Sequence, residues 1–136
     1  DGPGLAQQVA EGTGQAAIRL AIDAVGGQAT NRLADCVAEG GTLVNYGLMS
    51  GEPCVVSPRA FVFNDLTVRG FWLAKWFRVA TREQQRALYG QLTQAIARGQ
   101  LKARIHATYP VQRIQEAVAA AQAGERDGKI LVVGQG

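Results

Sequence analysis

Three short segments of the chain combine glycine with flat or soft apolar side chains, a mixture that suits the binding of a planar ring. Their members include Gly26, Gly27, Tyr46, Gly47, Leu48, Met49, Gly70, Phe71, Trp72 and Leu73. Glycine lets a ligand approach main-chain N–H and C=O groups closely, and aromatic or thioether side chains offer an apolar surface. At any single position, strand termination or core filling is the simpler interpretation. Three successive segments of one type nevertheless favour a binding site.

Few residues of the chain suit proton transfer or metal binding. His106 is the only histidine and follows the apolar Ile105, a setting more typical of a structural or solvated side chain than of a catalytic one. Asp23 lies in an apolar stretch, where it could accept hydrogen bonds at the end of a strand. Cys36 and Cys54 form no CxxC pair and have no neighbouring histidine. The spacing therefore predicts neither a catalytic residue nor a zinc site.

Composition excludes several classes of protein. The 136 residues are 47% hydrophobic and 18% charged, which is enough apolar material for one domain with a real core. The net charge of +3 is scattered along the chain, so a nucleic-acid surface is not expected. No apolar run reaches the roughly 18–20 residues of a membrane span. Two unpaired cysteines are typical of a reducing compartment, and we expect a cytoplasmic protein.

Apolar runs alternate with segments of helical periodicity, which predicts an α/β fold. The predicted strands cover residues 18–25, 42–46, 65–72 and 129–133, and the predicted helices cover residues 5–10, 29–38, 58–63 and 112–123. A further helix begins at a capping box formed by Thr81 and Gln84 and stops at Gly99. Helical crossovers between strands imply a parallel sheet.

The three glycine-containing segments follow the first three predicted strands. Because the carboxyl ends of parallel strands meet at one edge of a sheet, we expect these segments to share a rim where ligands bind. Residues 12–17 match the pattern GxGxxA of a dinucleotide-binding loop. That loop needs a strand before it and a helix after it, whereas here a helix precedes and a strand follows. We therefore predict no phosphate loop at this position.

Three blocks of the sequence are similar to one family. They are residues 20–27 (LAIDAVGG), residues 40–51 (GGTLVNYGLMSG) and residues 65–73 (DLTVRGFWL). Their order and spacing resemble the zinc-independent branch of the medium-chain dehydrogenase/reductase superfamily, which contains quinone reductases and trans-2-enoyl-thioester reductases. The stretch RGFWL, followed by Trp76, most resembles the enoyl reductases.

The resemblance implies a cofactor and a set of residues that contact it. Members bind NADPH in a Rossmann domain and transfer hydride to the β-carbon of a small-molecule enoyl thioester. The family segment Tyr-Gly-x-Met corresponds to Tyr46, Gly47, Leu48 and Met49, and its Phe-Trp-Leu segment near the nicotinamide corresponds to Phe71, Trp72 and Leu73. A lysine that contacts the cofactor corresponds to Lys129. With Gly26 and Gly27 these residues form the predicted cofactor site.

The same resemblance implies that the chain is a C-terminal fragment. The family's GroES-like domain with its catalytic tyrosine, and its phosphate loop, have no counterpart in the sequence. Residues 1–100 would be the C-terminal half of a Rossmann-type parallel sheet with flanking helices. Residues 101–136 would return toward the catalytic domain. We expect the chain alone to be inactive and to bind NADPH weakly.

The resemblance also implies a partner for the chain, and it leaves alternative functions open. Family members dimerise by pairing the strand that corresponds to the stretch between Thr67 and Phe71, which predicts a homodimer. A quinone oxidoreductase of the same superfamily is the alternative enzyme. A free-standing nucleotide-binding or dimerisation module without catalysis is an alternative from another class. An unrelated α/β enzyme such as a transferase would need an acidic or nucleophilic cluster at a strand end, and the sequence offers none.

Overall fold

Two compact units, Asp1–Val79 and Ala80–Gly136, make up the chain. The computed structural model describes residues 2–123 and 126–134 of it. The predicted segments 1–100 and 101–136 include residues 1, 124–125 and 135–136, which lie outside the described residues. The boundary between those segments comes from family correspondence and stays a prediction.

The first unit is built around a three-stranded parallel sheet. Its elements in chain order are α1 (Leu5–Gly12), β1 (Leu20–Asp23), α2 (Gly27–Ala34), β2 (Thr42–Asn45), α3 (Pro58–Val62), β3 (Thr67–Gly70) and α4 (Leu73–Val79). The strands lie in the order β1-β2-β3, and Ala21 aligns with Leu43 and then Val68. The predicted α/β class with helical crossovers between parallel strands is therefore confirmed.

One face of this sheet is packed against helices, and the core there consists mostly of small residues. The buried cluster contains Ala21, Ala34, Val37, Leu43, Ala60 and Leu66. On β1 only alternate residues are buried, and Leu20 and Ile22 on the opposite face are exposed. Leu43 on the central strand has no exposed surface at all. This one-sided burial fixes the register, because a slip by one residue would turn Leu43 out of the core.

Local signals explain where several elements begin. Ser57 caps α3 by accepting a hydrogen bond from the Ala60 N–H, and Pro58 occupies the first helical position. Both halves of the predicted capping box are present at the start of α5 (Arg82–Ala97): Thr81 Oγ1 accepts from the Gln84 N–H, and Gln84 Oε1 accepts from the Thr81 N–H. These helix starts are confirmed as predicted.

The second unit contains α5, β4 (Ile105–Pro110), a short 3-10 turn (Val111–Arg113), α6 (Ile114–Gln122) and β5 (Lys129–Val133). Its two strands are parallel neighbours. Arg104 and Asp127 form an ion pair at 2.7 Å before the two strands, and the Lys129 N–H donates to the Arg104 carbonyl at 2.7 Å. No helix within residues 2–123 and 126–134 has both the length and the apolar character needed to cross a bilayer.

Four elements differ from the sequence-based expectations. The first strand is shorter than residues 18–25, because the N–H groups of Val25 and Gly26 bond to the Asp23 side chain instead of continuing a ladder. The third strand ends at Gly70, since Trp72 already accepts hydrogen bonds from the first turn of α4. α4 and β4 were not predicted at all.

A substitution at Leu43 tests the core. Replacing Leu43 by alanine removes a side chain with no exposed surface, leaves a cavity between sheet and helices, and should lower the free energy of unfolding by about 2–5 kcal/mol. The matched control is Leu101→Ala, at a leucine that is 45% exposed, and it should change stability by well under half as much. Denaturant unfolding of both variants makes the comparison, and equal losses would contradict this assignment of the core.

Candidate functional site

An open cleft lies at the carboxyl ends of β2 and β3. Its volume is about 540 Å³. The lining residues are Asn45, Tyr46, Gly47, Leu48, Gly70, Phe71, Trp72 and Lys75. Five of the predicted site residues, Tyr46, Gly47, Leu48, Phe71 and Trp72, are thus brought together from two neighbouring strand ends. Such a position is where open parallel sheets bind ligands.

Main-chain hydrogen bonds fix the loop that follows β2. The N–H groups of Tyr46, Met49 and Ser50 donate to the carbonyls of Asp23, Ala24 and Val25 at 2.9, 3.1 and 2.9 Å. Gly47 sits at the tightest point of this seam, because a Cβ there would lie 2.5 Å from the Ala24 carbonyl oxygen. Only glycine allows the two strand ends to approach so closely.

The aromatic wall of the cleft is fixed from the β3 side. The Phe71 N–H donates to the Asn45 carbonyl at 2.8 Å, which extends the pairing of β2 and β3 by one residue. The Arg78 guanidinium lies 4.7 Å from the centre of the Trp72 ring and stacks on it as a cation–π contact. Trp72 remains 62% exposed, so a broad ring surface is open to a ligand.

Asp23 is a buried carboxylate that joins the first two strand ends. Its Oδ1 accepts hydrogen bonds from the N–H groups of Val25 and Gly26 at 2.8 and 3.1 Å. Its Oδ2 accepts from the Thr30 hydroxyl at 2.6 Å and from the Asn45 amide at 3.1 Å. Only 1% of Asp23 is exposed, so the predicted role as a hydrogen-bond acceptor at a strand end is confirmed.

These hydrogen bonds keep Asp23 ionised although it is buried. Burial by itself raises the pKa of the carboxyl, but the hydrogen bonds from Thr30, Val25, Gly26 and Asn45 outweigh it and lower the pKa below its ordinary value. The carboxylate therefore acts only as an acceptor at neutral pH, and every donor around it has a fixed direction.

Five other predicted site residues lie outside the lining of this cleft. Gly26 and Gly27 have positive φ angles of 81° and 58° and face the loop at Glu52, where a Cβ on Gly26 would lie 2.9 Å from a carbonyl oxygen. Met49 is exposed beside the cleft, and Leu73 is the first residue of α4. Lys129 begins β5 in the second unit. Their roles at the cofactor stay predictions.

Three residues of the cleft were not among the predicted cofactor contacts. Gly70 is the last residue of β3, directly before the predicted Phe71. Asn45 is the last residue of β2, directly before the predicted segment, and its position at a strand end was the available signal. Lys75 reaches the cleft because it lies one helical turn beyond Trp72, whose carbonyl accepts from the Lys75 N–H. The helical spacing between Trp72 and Lys75 could have identified Lys75 only if α4 had been predicted.

A smaller cavity of about 320 Å³ lies beside β1. Its lining is mostly apolar and includes Leu5 of α1, Ile22 of β1 and Leu33 of α2. Tyr46 borders both this cavity and the cleft. Residues 12–17, with their GxGxxA pattern, begin at the last residue of α1 and precede β1, so a helix comes before them and a strand after them, the reverse of the order in a phosphate loop.

The described residues contain no candidate metal centre. No group of three or more His, Cys, Asp and Glu side chains within residues 2–123 and 126–134 is placed to hold a metal ion. Cys36 and Cys54 are both free thiols. His106 lies on β4 with an exposed side chain.

Comparison with known proteins gives a consistent set of similarities. A family model described as zinc-binding dehydrogenase matches residues 4–132. The human mitochondrial enoyl-[acyl-carrier-protein] reductase is 40% identical over 102 residues, which is 75% of this chain and 27% of the human protein. The chain thus spans about a quarter of the length of this curated relative.

Solved structures share the fold. A provisionally assigned NADPH:quinone reductase of Bacillus thuringiensis is 26% identical, with a TM-score of 0.71 over 93% of this chain and 38% of that chain. The complex of Etr1p with NADP and crotonyl-CoA is 23% identical, with a TM-score of 0.72 over 97% of this chain and 37% of that chain.

Removing the charge of Asp23 should weaken the two joined strand ends. An asparagine cannot accept from all four donors, so Asp23→Asn should lower the free energy of unfolding by about 1–3 kcal/mol at neutral pH. Because the folded-state pKa lies below the unfolded-state value, the carboxylate stabilises the fold above the unfolded-state pKa. This contribution is lost as the pH falls through the folded-state pKa, and the variant should lack that part of the acid dependence.

Denaturant unfolding across the acid range measures both effects. The matched control is Asp127→Asn, whose carboxylate is exposed and paired with Arg104, and it should cost less than about 1 kcal/mol. An Asp23→Asn protein with the stability and acid dependence of the parent would contradict the role given to this carboxylate.

Proposed function

We propose that this chain, which belongs to the zinc-binding dehydrogenase family, forms the nicotinamide-facing side of an NADPH site in a reductase that acts on the C=C bond of an enoyl thioester. The observation that carries the proposal is the cleft where Tyr46 and Gly47 meet Phe71 and Trp72 at neighbouring strand ends. The sequence resembles the zinc-independent branch of the medium-chain dehydrogenase/reductase superfamily.

The cleft suits a nicotinamide ring in shape and chemistry. Open space of about 540 Å³ is bordered by aromatic faces and by main chain that carries no Cβ at Gly47 and Gly70. Bound NADPH would supply the hydride. The part of this chain is to orient the ring: the loop at residues 46–50 is tied to β1, and the Trp72 ring is held under Arg78. Apolar walls would also keep water from the reacting face.

The enoyl thioester is favoured over a quinone by the similarity between sequences. The mitochondrial enoyl-[acyl-carrier-protein] reductases of human and Dictyostelium discoideum are 40% and 39% identical over 75% and 62% of this chain. The solved structures do not separate the two activities, since the quinone reductase is 26% identical and Etr1p is 23% identical. The quinone oxidoreductase remains the alternative enzyme. A nucleotide-binding or dimerisation module without catalysis is the alternative from another class.

The remaining predicted contacts extend the proposed site. Gly26, Gly27, Met49, Leu73 and Lys129 are proposed as cofactor contacts on the resemblance alone. The proposed compartment is the cytoplasm, on the two free thiols Cys36 and Cys54, although the human relative is named as mitochondrial.

A direct assay separates the proposed activities. The protein that carries this chain should oxidise NADPH much faster with crotonyl-CoA than with a benzoquinone, measured by loss of NADPH absorbance. Faster quinone reduction would favour the alternative enzyme. NADPH binding without turnover of either substrate would favour the module.

A glycine variant tests whether the cleft holds the cofactor. A Cβ at Gly70 meets no atom within 4 Å, so Gly70→Val should fold yet project into the cleft, and the Kd for NADPH should rise by about tenfold or more. Gly90 of α5 also has open space around an added Cβ, so Gly90→Ala is the matched control and should leave the Kd unchanged. Unaltered NADPH binding by Gly70→Val would place the cofactor elsewhere.

We also propose a homodimer formed along β3, the strand predicted to pair between Thr67 and Phe71. β3 is an edge strand of the three-stranded sheet, and one side of its main chain is therefore free to pair. Sedimentation equilibrium of the protein that carries this chain should give twice the mass of one protomer. A mass equal to that of one protomer would count against the dimer.

A further inference from the structure

Asn45 is a polar side chain that the proposed function does not yet use. It is the last residue of β2 and lines the cleft together with Gly47 and Phe71. Its main chain is fixed, because its carbonyl accepts a hydrogen bond from the Phe71 N–H at 2.8 Å. Asn45 is therefore held in the lining of the cleft, where β2 and β3 end.

The carboxylate of Asp23 determines which way this amide faces. The Asn45 Nδ2 donates to Asp23 Oδ2 at 3.1 Å, and that carboxylate offers only acceptors. The flipped amide would bring Oδ1 against a carboxylate oxygen, two acceptors in repulsion. The surrounding donors keep Asp23 in place, since Val25, Gly26 and Thr30 all bond to it. The amide orientation follows from this chemistry rather than from an arbitrary choice between nitrogen and oxygen.

The oxygen of the same amide, Asn45 Oδ1, can accept a hydrogen bond from a ligand. Within the described residues, the hydrogen bond of the Asn45 side chain runs from Nδ2 to Asp23 Oδ2, which uses one of the two N–H groups of the amide and gives Oδ1 no donor. A fixed acceptor in a cleft that is also lined by Phe71 and Trp72 favours a ring ligand with a group that donates a hydrogen bond. Leaving such an acceptor without a donor after the cleft is filled would be costly.

We propose that Asn45 is a further specificity-determining residue, whose Oδ1 accepts a hydrogen bond from the primary carboxamide N–H of a nicotinamide ring in the cleft, and that Asp23 is the positioning residue that fixes its amide. This inference rests on the proposed function. It predicts that the site discriminates between ring substituents that do and do not donate a hydrogen bond.

The experiment compares two dinucleotides in two variants. The probes are NADPH and its 3-acetylpyridine analogue, in which a methyl group replaces the amino group of the carboxamide. The parent protein should bind NADPH more tightly than the analogue. Asn45→Ala should reduce that preference by about three- to tenfold, which is what one hydrogen bond contributes. Affinities are measured by fluorescence titration of the protein that carries this chain.

Asn31→Ala is the matched control. Asn31 is also an amide of the first unit, but its Oδ1 accepts from the Ser57 N–H at 2.8 Å and it lies outside the cleft lining. This variant should lose stability in thermal unfolding and keep the parent's preference for NADPH. A merely structural role of Asn45 would weaken both dinucleotides equally.

Each outcome decides the matter. A lost preference in Asn45→Ala, with the preference kept in Asn31→Ala, supports the inference. An unchanged preference in Asn45→Ala overturns it, as does a parent protein that binds both dinucleotides equally well, and in both cases the proposed cofactor site stands. A parent protein that binds neither dinucleotide removes the proposed function and the inference with it.

Discussion

The carboxylate of Asp23 is the interaction on which the arrangement of the first unit depends. It ends β1 by capturing two N–H groups, anchors the start of α2 through Thr30, and reaches across to the last residue of β2. A buried charge of this kind is stable only when hydrogen bonds surround it, and here four donors do so. One side chain thus connects two strands, a turn and a helix at the same edge of the sheet.

The cleft follows from that connection together with the register of the sheet. Parallel pairing places the ends of β2 and β3 side by side, and the loop after β2 is held against β1 by main-chain hydrogen bonds. The aromatic wall of the cleft is held in place from two sides. The main chain of Phe71 is hydrogen-bonded to β2, and the Trp72 ring stacks with Arg78. Such a surface can orient a flat cofactor, while the chemistry of a reaction has to come from the cofactor and from other residues.

Periodicity in the sequence predicted the central part of every helix except α4 and every strand except β4, and the carboxyl-end rule predicted which segments would meet. What it could not predict depends on contacts distant in sequence. β4, with His106, Thr108 and Pro110 among its residues, has weak strand character and exists through pairing with β5. α4 was hidden because its aromatic residues resemble a continuation of β3. Asn45 lies in the cleft because it ends β2, but the orientation of its amide depends on Asp23, which lies twenty-two positions earlier.

The small residues beneath the sheet have a consequence for the history of this chain. Ala21, Ala34 and Ala60 already carry the shortest side chain with a Cβ, and a Cβ at Gly41 would collide with Val37. The size of the side chain at these positions has an upper limit, because added methylene groups have no room between strand and helix. Substitutions by larger residues should therefore be rarer at these buried positions than at the exposed residues of the cleft. These positions should accordingly stay small among related proteins.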